Sequence, residues 1–243
     1  MKDWYKGWFD SPYYDLLYYD RDENEAREFV AVMAHLLKID RSHKILDIPC
    51  GNGRHCQALL ETGAEITGID LSFRNINQAK SQSFNSIDYY IHDMRNPFRI
   101  NYFDFVFNLF TSFGYFDSIK ENIKAAKNIS LNVKNGGILV FDYFNVDHSV
   151  YQLKPEEILY RGNIQFTILR KRYGNSMHKD IQVNDGKNEY KFQERVKIYS
   201  VQEIQQIFHP FNLELQNVFG NYSLGKFEQL ESERMICIFK KQL

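Results

Sequence analysis

The chain holds only three cysteines and five prolines in 243 residues, carries almost no net charge and contains no long apolar run. Cys50, Cys56 and Cys237 stand at no spacing that suits a disulfide framework or a metal site. His92 and His148 also lack partners at ligand spacing, so no metal is expected. Lys and Arg total 30 against 31 for Asp and Glu, a formal net charge of −1. That balance lacks the basic excess usual in nucleic-acid binders, and nucleic acid is disfavoured as a partner. The densest basic stretch, Arg170-Lys171-Arg172, reads as a solvated turn at a strand end. No segment approaches the run of about 20 apolar residues that spans a membrane. The opening MKDWYKGWFD is too polar for the apolar stretch of a signal peptide. A cytoplasmic protein without membrane attachment is expected.

Aromatic residues are in excess: 16 Tyr and 20 Phe bring the aromatic fraction to 16%. A Phe-rich core accounts for most of them and aromatic-lined surfaces for the rest. At this length the chain can bury a core without staples, as one large domain or as a core with a smaller insertion.

The order of elements follows from periodicity. Asp22 to Lys38 predicts an amphipathic helix, with Ala26, Phe29, Val30, Met33, Leu36 and Leu37 on one face. Strands are predicted at Lys44–Ile48, Ile66–Ile69, Ile87–Ile91, Phe103–Phe107 and Ile138–Phe141. Helices fall between them, at about Arg54–Thr62, at Asn75–Ser83, and after Ser118. Ser118 and Glu121 read as a capping box, Ile119, Ile123, Ala126, Ile129 and Val133 as the buried face, and Asn135-Gly136-Gly137 as the stop. This alternation predicts an α/β fold with a Rossmann-like, doubly wound, mostly parallel sheet.

Between 146 and 199 the pattern turns to period two, with Asn184-Asp185-Gly186 as a tight hairpin. A small inserted antiparallel β-sheet is expected there, with 1–145 and 200–243 forming the core and an N-terminal helical lid. Ser200 and Glu203 start a helix to about Phe208, and Leu213–Tyr222 with Arg234–Phe239 close the sheet.

The chemistry concentrates in Ile45-Leu46-Asp47-Ile48-Pro49-Cys50-Gly51-Asn52-Gly53-Arg54-His55. A strand that enters a helix through Gly-x-Gly puts backbone N–H groups at the carboxyl edge of the sheet, where open α/β sheets bind ligands. Asp47 discriminates between ligands, because an ionised carboxylate there repels a diphosphate and attracts a cation. S-adenosylmethionine carries a sulfonium and an ammonium and matches that charge. The third small residue of a dinucleotide fingerprint is replaced by Cys56. Asp70 follows the second strand, where an acid roughly 20 residues past the glycine turn can bond ribose hydroxyls. Asp93, after the third strand, could bond an adenine amino group, with Met94 against the ring.

Asp47-x-Pro49-Cys50-Gly51-x-Gly53, Gly68-Ile69-Asp70-Leu71-Ser72, Asp93-Met94 and Phe103-Asp104-Phe105-Val106-Phe107-Asn108 together resemble the successive motifs of class I S-adenosylmethionine-dependent methyltransferases. The match spans residues 45 to 142. It implies that Asp47, Pro49 and the Gly51–Gly53 turn face the methionine part of the cofactor; Arg54, at the helix start, could contact the cofactor carboxylate or simply stand solvated there. It further implies Asp70 and Leu71 at the ribose, Asp93 and Met94 at the adenine, and Asn108 at the methyl-transfer centre through its backbone. Tyr14-Asp15-Leu16-Leu17-Tyr18 resembles a segment that closes over the cofactor in small-molecule N-methyltransferases, and Tyr18 is the favoured contact. Of the run Phe110 to Phe116, Phe110, Ser112 and Tyr115 are expected to line the substrate cavity. His55 and Cys50 are set aside as packing residues.

No residue declares itself a general base. The expected activity is methyl transfer to a nitrogen or oxygen of a small molecule. Two rival readings stand beside it: a nicotinamide-dependent oxidoreductase, and a non-catalytic protein that binds S-adenosylmethionine. The inserted sheet could cap the substrate, form a homodimer contact, or do both.

Overall fold

The computed structural model describes residues 4–19, 23–83, 86–148 and 154–243. Arg21 and Asp22, read as the start of a helix, lie outside the described residues. Two short helices come first, α1 (Trp4–Phe9) and α2 (Pro12–Leu17), and α3 (Glu23–Leu37) follows. The alternating part runs β1 (Lys44–Asp47), α4 (Arg54–Leu60), β2 (Glu65–Asp70), α5 (Phe73–Ser83), β3 (Asp88–Ile91), β4 (Phe103–Asn108), α6 (Ile119–Asn132) and β5 (Val133–Phe144). After an antiparallel meander of β6 (Glu156–Arg161), β7 (Ile164–Tyr173), β8 (Ser176–Asn184) and β9 (Glu189–Lys197), the chain closes with α7 (Val201–Phe208), β10 (Leu213–Phe219) and β11 (Arg234–Lys241).

The main sheet has the order β10-β11-β5-β4-β1-β2-β3. Its five consecutive strands β5 to β3 are parallel, and β11 runs antiparallel to β5 and β10. Both faces are covered, which is why its strands read as near-continuous apolar runs. Ile45, Phe105 and Phe107 pack with Phe29, Met33, Cys56 and Leu59 of α3 and α4. Leu46, Val106 and Phe141 pack on the opposite face with Ala125, Ile129, Ile204 and Phe208 of α6 and α7. The inserted sheet, order β6-β7-β8-β9, buries Phe166, Ile168, Ile181 and Val183 against Trp8 and Leu17 of the N-terminal helices.

Several details depart from the sequence reading. The Ser118 hydroxyl caps Lys120 N at 3.2 Å, while Glu121 turns away to Arg95 at 2.6 Å, so that box does not close. The Ser200–Glu203 box does close, at 3.2 and 2.7 Å. On α6, Ile119 and Ile123 are exposed, and Asn122, Ala125, Ala126 and Ile129 face inward. Leu36 of α3 is also exposed.

Asn135-Gly136-Gly137 does not stop α6, which ends at Asn132. It forms an irregularity inside β5, where Gly136 has φ +77° and the register against β4 shifts. Arg170, Lys171 and Arg172 lie within β7 and not in a turn, and Arg170 pairs with Glu157 at 2.6 Å. The Asn184-Asp185-Gly186 hairpin has a four-residue loop, because the Asp185 side chain accepts from Lys187 N and Asn188 N. Tyr222 falls beyond the end of β10.

Candidate functional site

The parallel strands point their carboxyl ends to one edge, and the glycine turn after β1 sits at its middle. Gly51 has φ +55° and faces open space, whereas Gly53 has φ +86° and begins α4. A Cβ on Gly53 would lie 2.4 Å from the Tyr89 hydroxyl, so the turn needs glycine for its conformation and for this close approach. Asp70 at the end of β2 fixes the turn: its carboxylate accepts from Gly51 N at 2.9 Å and Ser72 N at 2.8 Å. Burial raises the Asp70 pKa, and the bonds from Ser72, Gly51 and Asn75 oppose that rise.

Two cavities open along this edge and share Phe9, Pro49, Asp70 and Tyr115. The smaller, about 360 Å³, is walled by Ile48, Ile69, Leu71, Met94 and Phe116, with Asp93 at its margin. An apolar slot lined also by Asp70 and Asp93 suits a nucleoside. The larger, about 770 Å³, continues past Gly51, Arg54 and His55 to Leu109, Phe110 and Ser112 under Tyr14 and Tyr18.

Of the residues singled out from sequence, Tyr18, Pro49, Gly51, Arg54, Asp70, Phe110, Ser112 and Tyr115 line the larger cavity. Leu71, Asp93 and Met94 line the smaller. Asp47, Gly53 and Asn108 line neither. Asp47 is buried behind the glycine turn, where Cys56 donates its thiol to Oδ2 at 3.5 Å and Oδ1 has no partner among the described residues. Burial pushes the Asp47 carboxyl up to about 7, against the Cys56 bond; nearby Asp70 raises it further and Arg54 lowers it. Asn108 is fully buried and donates to Ile48 O at 2.6 Å and Ser112 O at 3.3 Å, tying the two loops that wall the cavity.

Asp93 is not free to serve a ligand with its whole carboxylate. Arg95 grips it through Nη2 at 2.7 Å, Nε at 3.1 Å and the backbone N at 2.9 Å. Despite partial burial, this grip holds the Asp93 pKa below the usual range.

The N-terminal helices supply residues that the sequence reading missed. Tyr5 and Phe9 wall the cavities, and the repeat Trp4, Tyr5, Trp8, Phe9 at helical spacing is the signal that marks them. Asp10 accepts from the Ser72 hydroxyl at 2.7 Å, and Asp15 pairs with Arg74, which clamps these helices to the loop after β2 and the start of α5.

A doubly wound sheet of this strand order, with a glycine turn and acids along its carboxyl edge, is the fold of class I S-adenosylmethionine-dependent methyltransferases. A family model described as a methyltransferase domain matches residues 19–218, and the chain belongs to that family. Glycine N-methyltransferase of Rattus norvegicus is 28% identical over 148 residues, 54% of this chain and 50% of the relative. The chain thus spans about half the length of the curated relatives it matches. A S-adenosylmethionine-dependent methyltransferase from Clostridium acetobutylicum superposes with a TM-score of 0.78 at 18% identity, covering 95% of this chain and 96% of that one. The sugar N-methyltransferase KedS8 from Streptoalloteichus superposes with a TM-score of 0.71 at 18% identity, covering 95% and 93%. These likenesses establish the fold.

The residues present fit S-adenosylmethionine. The apolar slot has a lining that suits a nucleoside, Gly51 leaves backbone space, and the Asp47 oxygen that has no partner among the described residues puts an acid behind the turn. Among the described residues no helix is long and apolar enough to cross a membrane.

Proposed function

We propose that the chain transfers the methyl group of S-adenosylmethionine to a nitrogen or oxygen of a small molecule, with an amine nitrogen as the favoured acceptor. The observation that carries this reading is the larger cavity. It extends beyond the glycine turn, has a volume of about 770 Å³, and is walled by Phe9, Tyr14, Tyr18, Phe110 and Tyr115 together with Glu23. That size suits a small-molecule site. Aromatic faces and a carboxylate attract an amine in its cationic form, which passes its proton to solvent water before the neutral nitrogen attacks. The names of the glycine and sugar N-methyltransferases point the same way.

When bound, the cofactor supplies a carbon activated by its sulfonium, so that an N–C bond forms as the C–S bond breaks. The protein's task is to hold the acceptor at about 3 Å and keep water out. Pro49, Gly51 and Arg54 are assigned to the methionine part, Asp70 and Leu71 to the ribose, and Met94 with the margin of Asp93 to the adenine. Tyr18 covers the cofactor, Asn108 braces the wall, Ser112 and Tyr115 face the acceptor, and Phe110, its ring packed on Tyr222 and Arg54, walls the same cavity. Asp47 acts through its field and not through contact, a narrower role than the sequence implied.

The test is formation of S-adenosylhomocysteine with a panel of small amines, alcohols and thiols. Turnover with amines supports the reading, and turnover with alcohols alone moves the acceptor to oxygen. Binding of S-adenosylhomocysteine without turnover across the panel favours a non-catalytic binder. Stabilisation by NAD alone restores the oxidoreductase.

A further inference from the structure

One residue beyond the end of β4, two consecutive residues hold a conformation that side chains other than glycine rarely adopt. The φ angles are +62° at Phe110 and +61° at Thr111. Such a pair persists only where its surroundings over-determine it. The surroundings here are one buried cluster. Asp142 of β5 is fully buried, and its Oδ1 accepts from Arg234 of β11, with Nε and Nη2 both at 2.8 Å. Its Oδ2 accepts from Phe110 N at 2.7 Å and from the Tyr222 hydroxyl at 3.0 Å. The Asp142 carbonyl accepts from Thr111 N at 3.1 Å, and Arg234 Nη2 donates to Thr111 Oγ1 at 3.1 Å.

A buried ion pair contributes little net stability, since desolvation offsets the attraction. What this one does is local: its bonds converge on the two left-handed residues. The Phe110 ring then stacks with Tyr222 at 6.1 Å, and the Arg54 guanidinium lies 4.6 Å from its centroid. Arg54 and Phe110 both line the larger cavity beside Gly51.

We propose that Asp142 and Arg234 are positioning residues for the aminoacyl end of the cofactor: they lock Phe110 left-handed, and its ring carries the Arg54 guanidinium at the glycine turn. The inference rests on the assignment of Arg54 to the cofactor carboxylate, so its test separates the two. Binding of S-adenosylhomocysteine is compared by calorimetry with binding of 5′-methylthioadenosine, which keeps the nucleoside and lacks the aminoacyl group.

Asp142→Asn and Phe110→Leu should each weaken S-adenosylhomocysteine about tenfold, the scale of a misplaced charged hydrogen bond, and leave methylthioadenosine unchanged. A purely structural role would move both ligands together, and that outcome overturns the proposal. Arg54→Met is the control. If it leaves S-adenosylhomocysteine unchanged, the carboxylate assignment falls. If it weakens that ligand while Asp142→Asn and Phe110→Leu do not, the positioning role falls and the assignment stands. Phe110→Leu spares the ion pair and carries the test where Asp142→Asn fails to fold.

Discussion

Cys56 donates its thiol to Asp47 at 3.5 Å on the buried side of the glycine turn, leaving the other carboxylate oxygen without a partner among the described residues. The carboxyl is pushed up to about 7 chiefly by burial, so near neutral pH it is divided between its protonated and ionised forms. A cationic cofactor arriving at the turn favours the ionised form, and cofactor binding should release protons between about pH 6 and 8. Calorimetry in buffers of different ionisation enthalpy measures that release, and Asp47→Asn should abolish it.

The linkage to stability has a definite sign. The unfolded carboxyl titrates near the ordinary value of about 4, below the folded one, so the cost of burying the charge builds as pH rises between the two. Asp47→Asn should therefore stabilise the ligand-free protein by about 1–3 kcal/mol at pH 8 and by much less at pH 4. A denaturation series across that range checks both values.

Arg95 sets a limit on what Asp93 can do for a ligand, because its fork occupies both carboxylate oxygens. Asp93→Ala would leave Arg95 with Glu121 as its remaining carboxylate partner and should destabilise the protein by about 1–3 kcal/mol. The lowered pKa of Asp93 gives a stability contribution that is present above the usual carboxylate range and lost as pH falls below about 4. The variant should accordingly lose the acid-side part of the wild-type stability curve. Its loss of S-adenosylhomocysteine affinity should be smaller than that of Asp70→Ala, measured by the same calorimetry.

The doubly wound sheet was legible because Ile45, Leu46, Val106 and Phe107 are apolar in succession, as strands buried on both faces must be. The acids at strand ends were legible for a related reason: Asp70 and Asp93 end apolar runs on one edge. What the sequence could not carry was side-chain direction. Asp47 ends the right strand yet is buried behind the turn, and Asn108 spends its carboxamide nitrogen on two backbone carbonyls. Contacts across long separations were equally hidden. Nothing in the spacing of Asp10, Asp15, Ser72 and Arg74 says that the N-terminal helices close on the loop after β2 and the start of α5.

Tyr18 has two faces with separable roles. Its hydroxyl donates to Glu194 at 2.6 Å and accepts from Lys179, which ties α2 to the inserted sheet. Its ring, by contrast, borders the cavity. Tyr18→Phe should cost about 1 kcal/mol of stability, because Glu194 keeps the Trp8 indole N–H at 2.7 Å. Affinity for S-adenosylhomocysteine should be unchanged in that variant and fall in Tyr18→Ala. Equal losses in both would remove the ring from the site.

Asp70 joins two tasks that one substitution cannot separate. It holds Gly51 and Ser72 through backbone N–H groups, and it is the residue assigned to the ribose hydroxyls. Asp70→Ala should weaken S-adenosylhomocysteine by about 1–3 kcal/mol, but a loosened turn would do the same. A 2′-deoxy analogue of the ligand separates the tasks. If the carboxylate bonds the hydroxyl, the wild type prefers the ribose form, and Asp70→Ala loses that preference, closing a double-mutant cycle with a non-zero coupling. Zero coupling would confine Asp70 to bracing the turn and send the ribose elsewhere along the sheet edge.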